Sequence, residues 1–270
     1  RVVFTDCDPR TYLIDLRFAE KKVTSRTRAI IPVHFYGQPM DMDAVCAFAS
    51  KHKLPVVEDC AQAHGALVRG KNLVEFGGLL CYSFYPGKNL GAYGDGGAVI
   101  SNDGDLAKRV RMLANHGRLS KFGHDCEGVN SRLDGLQAAI LNVKLKHLPQ
   151  WTEARRRVAH RYDERLSKVA RVKAPFVPEG MKHVYHLYVI ETERRDALRD
   201  ALEKQGISTG IHYPTALPNL GAYRYLEHSP ADFPVSSRLQ DRILSIPMYP
   251  ELALETVDLI ADRIAEFHGL

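Results

Sequence analysis

"YSFYPGKNLGAYGDGGAVI", residues 82–100, sets one lysine between a compact apolar run and a string of glycines. Three readings of Lys88 compete. Pro86 and Gly87 are turn residues, so "PGKN" reads as a solvated turn. A phosphate loop of the GxxxxGK[ST] kind fails at both ends, because Tyr82 stands where the first glycine belongs and Asn89 follows the lysine. The third reading is an amine held in a partly desolvated cleft. Burial and nearby positive charge lower such a pKa, so the amine can attack an aldehyde. The glycines at 87, 91, 94, 96 and 97 would then let backbone come close to a flat ligand.

On either side of this stretch, short apolar runs alternate with amphipathic ones, the pattern of a parallel sheet with crossover helices. Residues 28–37, 54–61, 79–85 and 96–103 read as strands. Residues 41–53 read as a helix capped by Asp41, with Val45, Phe48 and Ala49 on one face. A second helix after residue 104 puts Leu106, Val110 and Leu113 together and stops at Gly117. A third covers 130–148, with Ser131 and Asp134 spaced as a capping box. The character changes at Pro149, where a long basic helix (150–168) leads to a strand (183–192) and a helix (194–207). Helical stretches at 235–245 and 254–268 close the chain. The expected division is a sheet-based domain, 1–148, and a smaller α+β domain, 149–270.

Composition narrows the function. The chain has 270 residues, 45% hydrophobic and 26% charged, with a net charge of +5. Arg155, Arg156 and Arg157 sit beside Glu153, Asp163 and Glu164, which reads as a solvated helix face rather than a nucleic-acid surface. Five cysteines with no CxxC spacing indicate neither a disulfide framework nor a zinc site, and they fit a reducing, cytoplasmic compartment. The longest apolar runs are too short to span a bilayer, and no secretory layout opens the chain.

Open parallel sheets bind ligands beyond the carboxyl ends of their strands. Asp59 occupies such an end after the apolar "LPVV", with Glu58 just before it; side chains alternate, so only one of the two can face the cleft. A helix cap or a structural carboxylate is the plainer reading of Asp59, and Gln62 and His64 in isolation are polar loop residues. Together, a carboxylate on one strand end and an amine on another are what pyridoxal phosphate requires: the lysine forms the Schiff base and the carboxylate keeps the ring nitrogen protonated. Ser83 is a candidate donor to the phosphate.

The segments "VVEDCAQAHGA", "YSFYPGKNLGAYGDGGAVI", "NHG", "GVNSRLDGLQAAIL", "AIIPVHFYGQPMDMDA", "GIHYP" and "SIPMYPEL" closely resemble the sugar-nucleotide aminotransferases of the DegT/StrS type, over essentially the whole chain. That resemblance implies a fold-type-I, aspartate-aminotransferase-like α/β enzyme: a large domain on a mostly parallel sheet and a smaller α+β C-terminal domain. It implies pyridoxal 5'-phosphate as cofactor, with glutamate and a nucleotide-linked keto-deoxysugar as substrates in amino-sugar biosynthesis. Lys88 would be the Schiff-base lysine, Asp59 the partner of the ring nitrogen, Gln62 a residue against the ring and Ser83 a phosphate ligand. Asn130 and Arg132 would cross into the neighbouring site of a homodimer, Asn130 to the cofactor phosphate and Arg132 to the substrate's phosphates. A cap or turn and a surface helix residue are the plain alternatives for these two. His212 and Tyr213 would face the sugar or pack the small domain. Family members that dehydrate sugars carry His in place of the lysine, so Lys88 favours transamination. Family members also begin with a section holding a Ser-Gly-Thr segment and an aromatic that stacks on the ring. The opening "RVVFTDCDPRTYLID" resembles the strand and loop that come after that section. The expectation is that part of the phosphate cup and one cleft wall are missing here. A truncated, non-catalytic binding or regulatory protein is the alternative.

Overall fold

Asp15 opens the first helix, α1 (Leu16–Glu20), by accepting the Arg17 amide at 2.8 Å, in a computed structural model that describes residues 1–270. Asp41 likewise opens α2 (Met42–His52), which buries Met42, Val45, Phe48 and Ala49 on one face. Four strands follow: β1 (Val57–Asp59), the hairpin pair β2 (Leu67–Val68) and β3 (Lys71–Asn72), and β4 (Leu79–Ser83). The next, β5 (Gly97–Ile100), completes a mixed three-stranded sheet in the order β1-β4-β5, parallel between the first two and antiparallel between the last two. Registry sets Val57 opposite Leu79 and Asp59 opposite Cys81.

The strand expected at 28–37 does not form as a ladder. Only isolated parallel bridges, Ile30 with Val56 and Val33 with Asp59, extend the sheet there. Pro32 has no amide to donate, and Tyr36 turns left-handed (φ 59°), so the run ends in a single 3₁₀ turn at Phe35–Gly37.

Helix α3 (Gly104–Ala114) starts where Asp103 accepts the amides of Asp105 and Leu106 at 2.9 and 3.0 Å. Its expected face buries nothing, and Leu106 and Leu113 lie exposed. Gly117 does turn left-handed (φ 76°) beyond the helix, and a side chain there would collide with the Cys126 carbonyl. Helix α4 (Gly135–Leu145) begins later than expected and has no capping box: Asp134 makes no side-chain cap bond. In α5 (Leu148–Leu166), Pro149 sits in the first turn, where its missing amide costs nothing.

After α5 come β6 (Met181–Lys182), which pairs back onto β2, and β7 (Tyr188–Glu191), shorter than the expected strand. Helices α6 (Arg195–Glu203) and α7 (Pro234–Leu239) precede β8 (Ile243–Ile246), and α8 (Leu254–Phe267) follows. The helix expected at 235–245 is thus cut short. "ILSI" is a buried strand antiparallel to β7, because a short, fully buried apolar run carries no periodicity to separate strand from helix. Tyr162, Tyr188, Leu198, Leu244 and Ile264 form a core beneath this ribbon; a second core joins Met42, Val45, Leu73 and Leu80 to Val184. Strand β5 is an edge, with Val99 and Ile100 42% and 44% exposed. Buried Asp6 accepts the amides of Val235 (2.8 Å) and Ser236 (2.9 Å) at the start of α7, although they are over 200 residues away in sequence.

Candidate active site

The alternation of β1 sends Glu58 and Asp59 to opposite faces, as expected. Glu58 goes inward and is wholly buried. Asp59 remains half-buried and, with Ile31, Ala61, Cys81 and Ser83, lines an open cleft of about 300 Å³. One Asp59 carboxylate oxygen accepts the Ala61 amide at 3.0 Å, so the residue also closes the turn after its strand. Ser83 ends β4 on the same side; its Oγ accepts the Tyr85 amide at 3.3 Å, which leaves the hydroxyl hydrogen free.

Lys88 follows in a tight turn, its amide donating to the Tyr85 carbonyl at 2.9 Å, with Pro86 and Gly87 at the centre. Two of the sequence readings therefore hold together: the backbone is a turn, yet the side chain is half-buried. Burial pulls the Lys88 amine below the ordinary lysine range, against the opposing pull of the Asp59 carboxylate. The glycine reading needs correction where backbone already fills the space, as at Gly97, whose added side chain would lie 2.8 Å from the Tyr82 carbonyl oxygen. A side chain on Gly91 would lie 2.3 Å from the Pro86 carbonyl, so this glycine closes the lysine's own turn rather than making room for a ligand.

Behind the cleft, Glu58 Oε2 lies 2.9 Å from His34 Nε2, and His34 Nδ1 accepts the Met40 amide at 3.0 Å. Cys60 is close enough for the three to form a cluster of metal-ligand type. The Met40 amide places the imidazole's single proton on Nε2, aimed at Glu58 rather than at an ion. The cluster is a hydrogen-bonded strut.

Three groups escaped the sequence reading. The His64 ring is 3% exposed and neither nitrogen has a partner. Burial, then the charge of Lys88, push it down to about 4. His186 Nδ1 lies 3.1 Å from Asn89 Oδ1, while Asn89 Nδ2 donates to the Val184 carbonyl at 3.0 Å; burial first and Lys88 second hold this histidine at about 3. His64 and Asn89 adjoin motif residues, and that adjacency was the only signal. Arg155, assigned to a solvated face, instead turns inward and donates to the carbonyls of Tyr185 (3.1 Å) and Met248 (3.0 Å).

Gln62 is buried, with Oε1 accepting the Tyr36 amide at 2.6 Å and Nε2 facing the Tyr213 hydroxyl at 3.4 Å. His212 Nδ1 sits 2.8 Å from Ser245 Oγ. The structure thus brings Asp59, Ser83 and Lys88 to one sheet end, and Gln62 to Tyr213. Asn130 and Arg132 stand apart: both are exposed, Arg132 Nε donates to Asn130 Oδ1 at 3.1 Å, and no hydrogen bond joins either to Asp59, Ser83 or Lys88.

An amine depressed by burial and within reach of the Asp59 charge, that carboxylate, and a free hydroxyl on the carboxylate's cleft fit the aldehyde, ring nitrogen and phosphate of pyridoxal phosphate. Known proteins agree in kind. A solved structure described as S. venezuelae DesV in complex with a ketimine intermediate superposes with a TM-score of 0.97 at 39% identity, over 99% of this chain and 72% of that one. The chain is 45% identical over 268 residues to the "Pleiotropic regulatory protein" of Geobacillus stearothermophilus, covering 98% of this chain and 72% of the relative. It is 43% identical over 268 residues to an Acidithiobacillus ferrooxidans protein named as a UDP-N-acetyl-3-dehydro-alpha-D-glucosamine 3-aminotransferase, covering 99% and 72%. Residues 1–265 match a single family description, and with these likenesses the chain belongs to the DegT/DnrJ/EryC1/StrS aminotransferase family.

Proposed function

We propose that the chain is a pyridoxal-phosphate-dependent aminotransferase that moves an amino group from glutamate to the keto carbon of a nucleotide-linked deoxysugar, in the cytoplasm. The observation that carries this is the half-buried Lys88 amine, lowered by burial and within electrostatic reach of the Asp59 carboxylate that ends the adjoining strand. Bound pyridoxal phosphate supplies an electron sink for the carbanion that proton removal creates. The rest is done by the protein. Asp59 would hold the proton on the ring nitrogen, Ser83 would donate to the phosphate and Gln62 would lie against the ring. Lys88, more readily neutral than a surface lysine, would take the proton from the donor carbon and return it at the cofactor's aldehyde carbon. His212 and Tyr213 face the sugar.

The active unit in this reading is a homodimer. Asn130 and Arg132, exposed and apart from the cleft of their own chain, reach the partner's cofactor phosphate and the substrate diphosphate, which a planar guanidinium suits. Exposed Leu133, Leu136 and Val143 near them offer apolar surface for that contact. The domain division near residue 148 belongs to the same proposal: α5 supplies Val158, Ala159, Tyr162 and Leu166 to the core beneath β7 and β8, and α4 supplies nothing to it. The aminotransferase family, the relative named as an aminotransferase and the retained lysine support catalysis over a non-catalytic binding role.

The test is the half-reaction. Purified protein loaded with pyridoxal phosphate should lose its visible absorbance band on addition of glutamate and release one equivalent of 2-oxoglutarate. A loaded protein that leaves glutamate untouched would overturn the reading.

A further inference from the structure

The turn at residues 35–38 is stitched to three separate segments, and one residue, Tyr36, is common to the stitches. Tyr36 is 6% exposed and left-handed (φ 59°, ψ 6°), a conformation that a non-glycine residue holds only where its surroundings fix it. That backbone turns its amide onto Gln62 Oε1 and its carbonyl toward the Leu187 amide at 3.3 Å. Its phenol donates to the carbonyl of His212. Phe35 stacks on its ring with centroids 3.9 Å apart, and Tyr12 meets it edge-on at 6.4 Å. Burial, with Tyr12 and Tyr213 nearby, raises its hydroxyl well above the usual phenol range, so it stays a donor.

The Gln62 amide has no freedom left. Because Oε1 takes the Tyr36 amide, Nε2 must face Tyr213 and donate to its hydroxyl oxygen. The Tyr213 hydrogen is then free, on a residue 49% exposed, to donate outward.

We propose that Tyr36 is a positioning residue for the sugar: it orients Gln62 through its amide and the His212–Tyr213 segment through its phenol, so that Tyr213 meets a sugar oxygen as a hydrogen-bond donor. The inference rests on the sugar-nucleotide reading above and deepens it, since Tyr36 is buried away from any ligand and acts only through Gln62 and the 212–213 segment.

The test compares Tyr36→Phe with the parent, using UDP-N-acetylglucosamine and dTDP-glucose as sugar-bearing probes and UDP and dTDP as bare diphosphates. Loss of one neutral hydrogen bond should weaken the sugar-bearing probes about fivefold and leave the bare diphosphates unchanged. Tyr213→Phe should abolish most of the sugar preference, and adding Tyr36→Phe to it should then cost almost nothing more. Equal weakening of sugar-bearing and bare probes would mark a general structural loss and overturn the proposal, as would no weakening at all. Additive effects of the two substitutions would overturn it too. A parent that binds none of the four probes would instead overturn the substrate reading, and this inference with it.

Discussion

His34 Nε2 and Glu58 Oε2 meet at 2.9 Å with both side chains sealed from solvent, one residue along the chain from Asp59. The His34 amide also donates to the Asp59 carbonyl at 3.0 Å, so the pair braces the strand end from side chain and backbone alike. Glu58→Leu should strand the buried His34 N–H and cost about 3 kcal/mol, while Glu58→Gln, which keeps an acceptor, should cost less than half of that. Urea unfolding of the two variants checks the order, and equal losses would show that packing alone matters there.

Lys88→Ala should abolish the visible band of the loaded protein, and borohydride reduction of the parent should fix the cofactor to Lys88. A stable adduct on Lys71 or Lys121 would contradict the assignment of the turn at Tyr85–Lys88.

Asp59→Asn should still take up cofactor, because the amine is untouched, yet slow glutamate conversion by at least about 100-fold, the scale of removing one preorganised charge. Stopped-flow absorbance separates uptake from conversion. A variant as fast as the parent would leave Asp59 with only its turn-closing bond to Ala61.

Acid should destabilise the fold before its carboxylates titrate. Burial holds His64 at about 4 and His183 at about 3, below the roughly 6.5 of an unfolded histidine. The unfolded chain therefore binds more protons between these values. The stability that both rings contribute is present above about pH 6.5 and is lost as pH falls toward 4 and 3. Between pH 6.5 and 5 the two together should cost roughly 3 kcal/mol. A denaturation midpoint unchanged over that range would contradict the buried, neutral state of the rings.

Lys88→Ala and Arg132→Ala, each inactive alone, should partly restore glutamate-to-sugar transfer when mixed, because one hybrid site keeps both residues. Proven subunit exchange without rescue would place each site within one chain.

Much of this was legible because chemistry and backbone punctuation coincide. Asp41 before an apolar period gave α2, and the polar end of "LPVVED" gave the strand whose last residue meets the cleft. What stayed hidden depends on contacts distant in sequence. Nothing local to Tyr36 announces that its phenol reaches His212, and the run 28–37 is apolar enough for a strand until Pro32 withholds an amide. Helix α3 has the right period, yet its apolar side is only partly covered, with Val110 half-buried and Leu106 and Leu113 exposed, since periodicity reports a face and not its partner. Ile243–Ile246 fell to the opposite problem: burial on every side erased the pattern that distinguishes a strand.

Asp6 sets a timetable for synthesis. Its carboxylate reaches its buried place only when Val235 and Ser236 are available to donate. At roughly 5–20 residues per second, a ribosome takes about ten to fifty seconds to add the intervening stretch. Through that interval the Asp6 carboxylate has the adjacent Cys7 amide, at 2.9 Å in the folded protein, but lacks those of Val235 and Ser236, while β1 and β4 can already pair. The latch between Asp6 and α7 is therefore among the last contacts that the chain can make, followed only by those of β8 and α8.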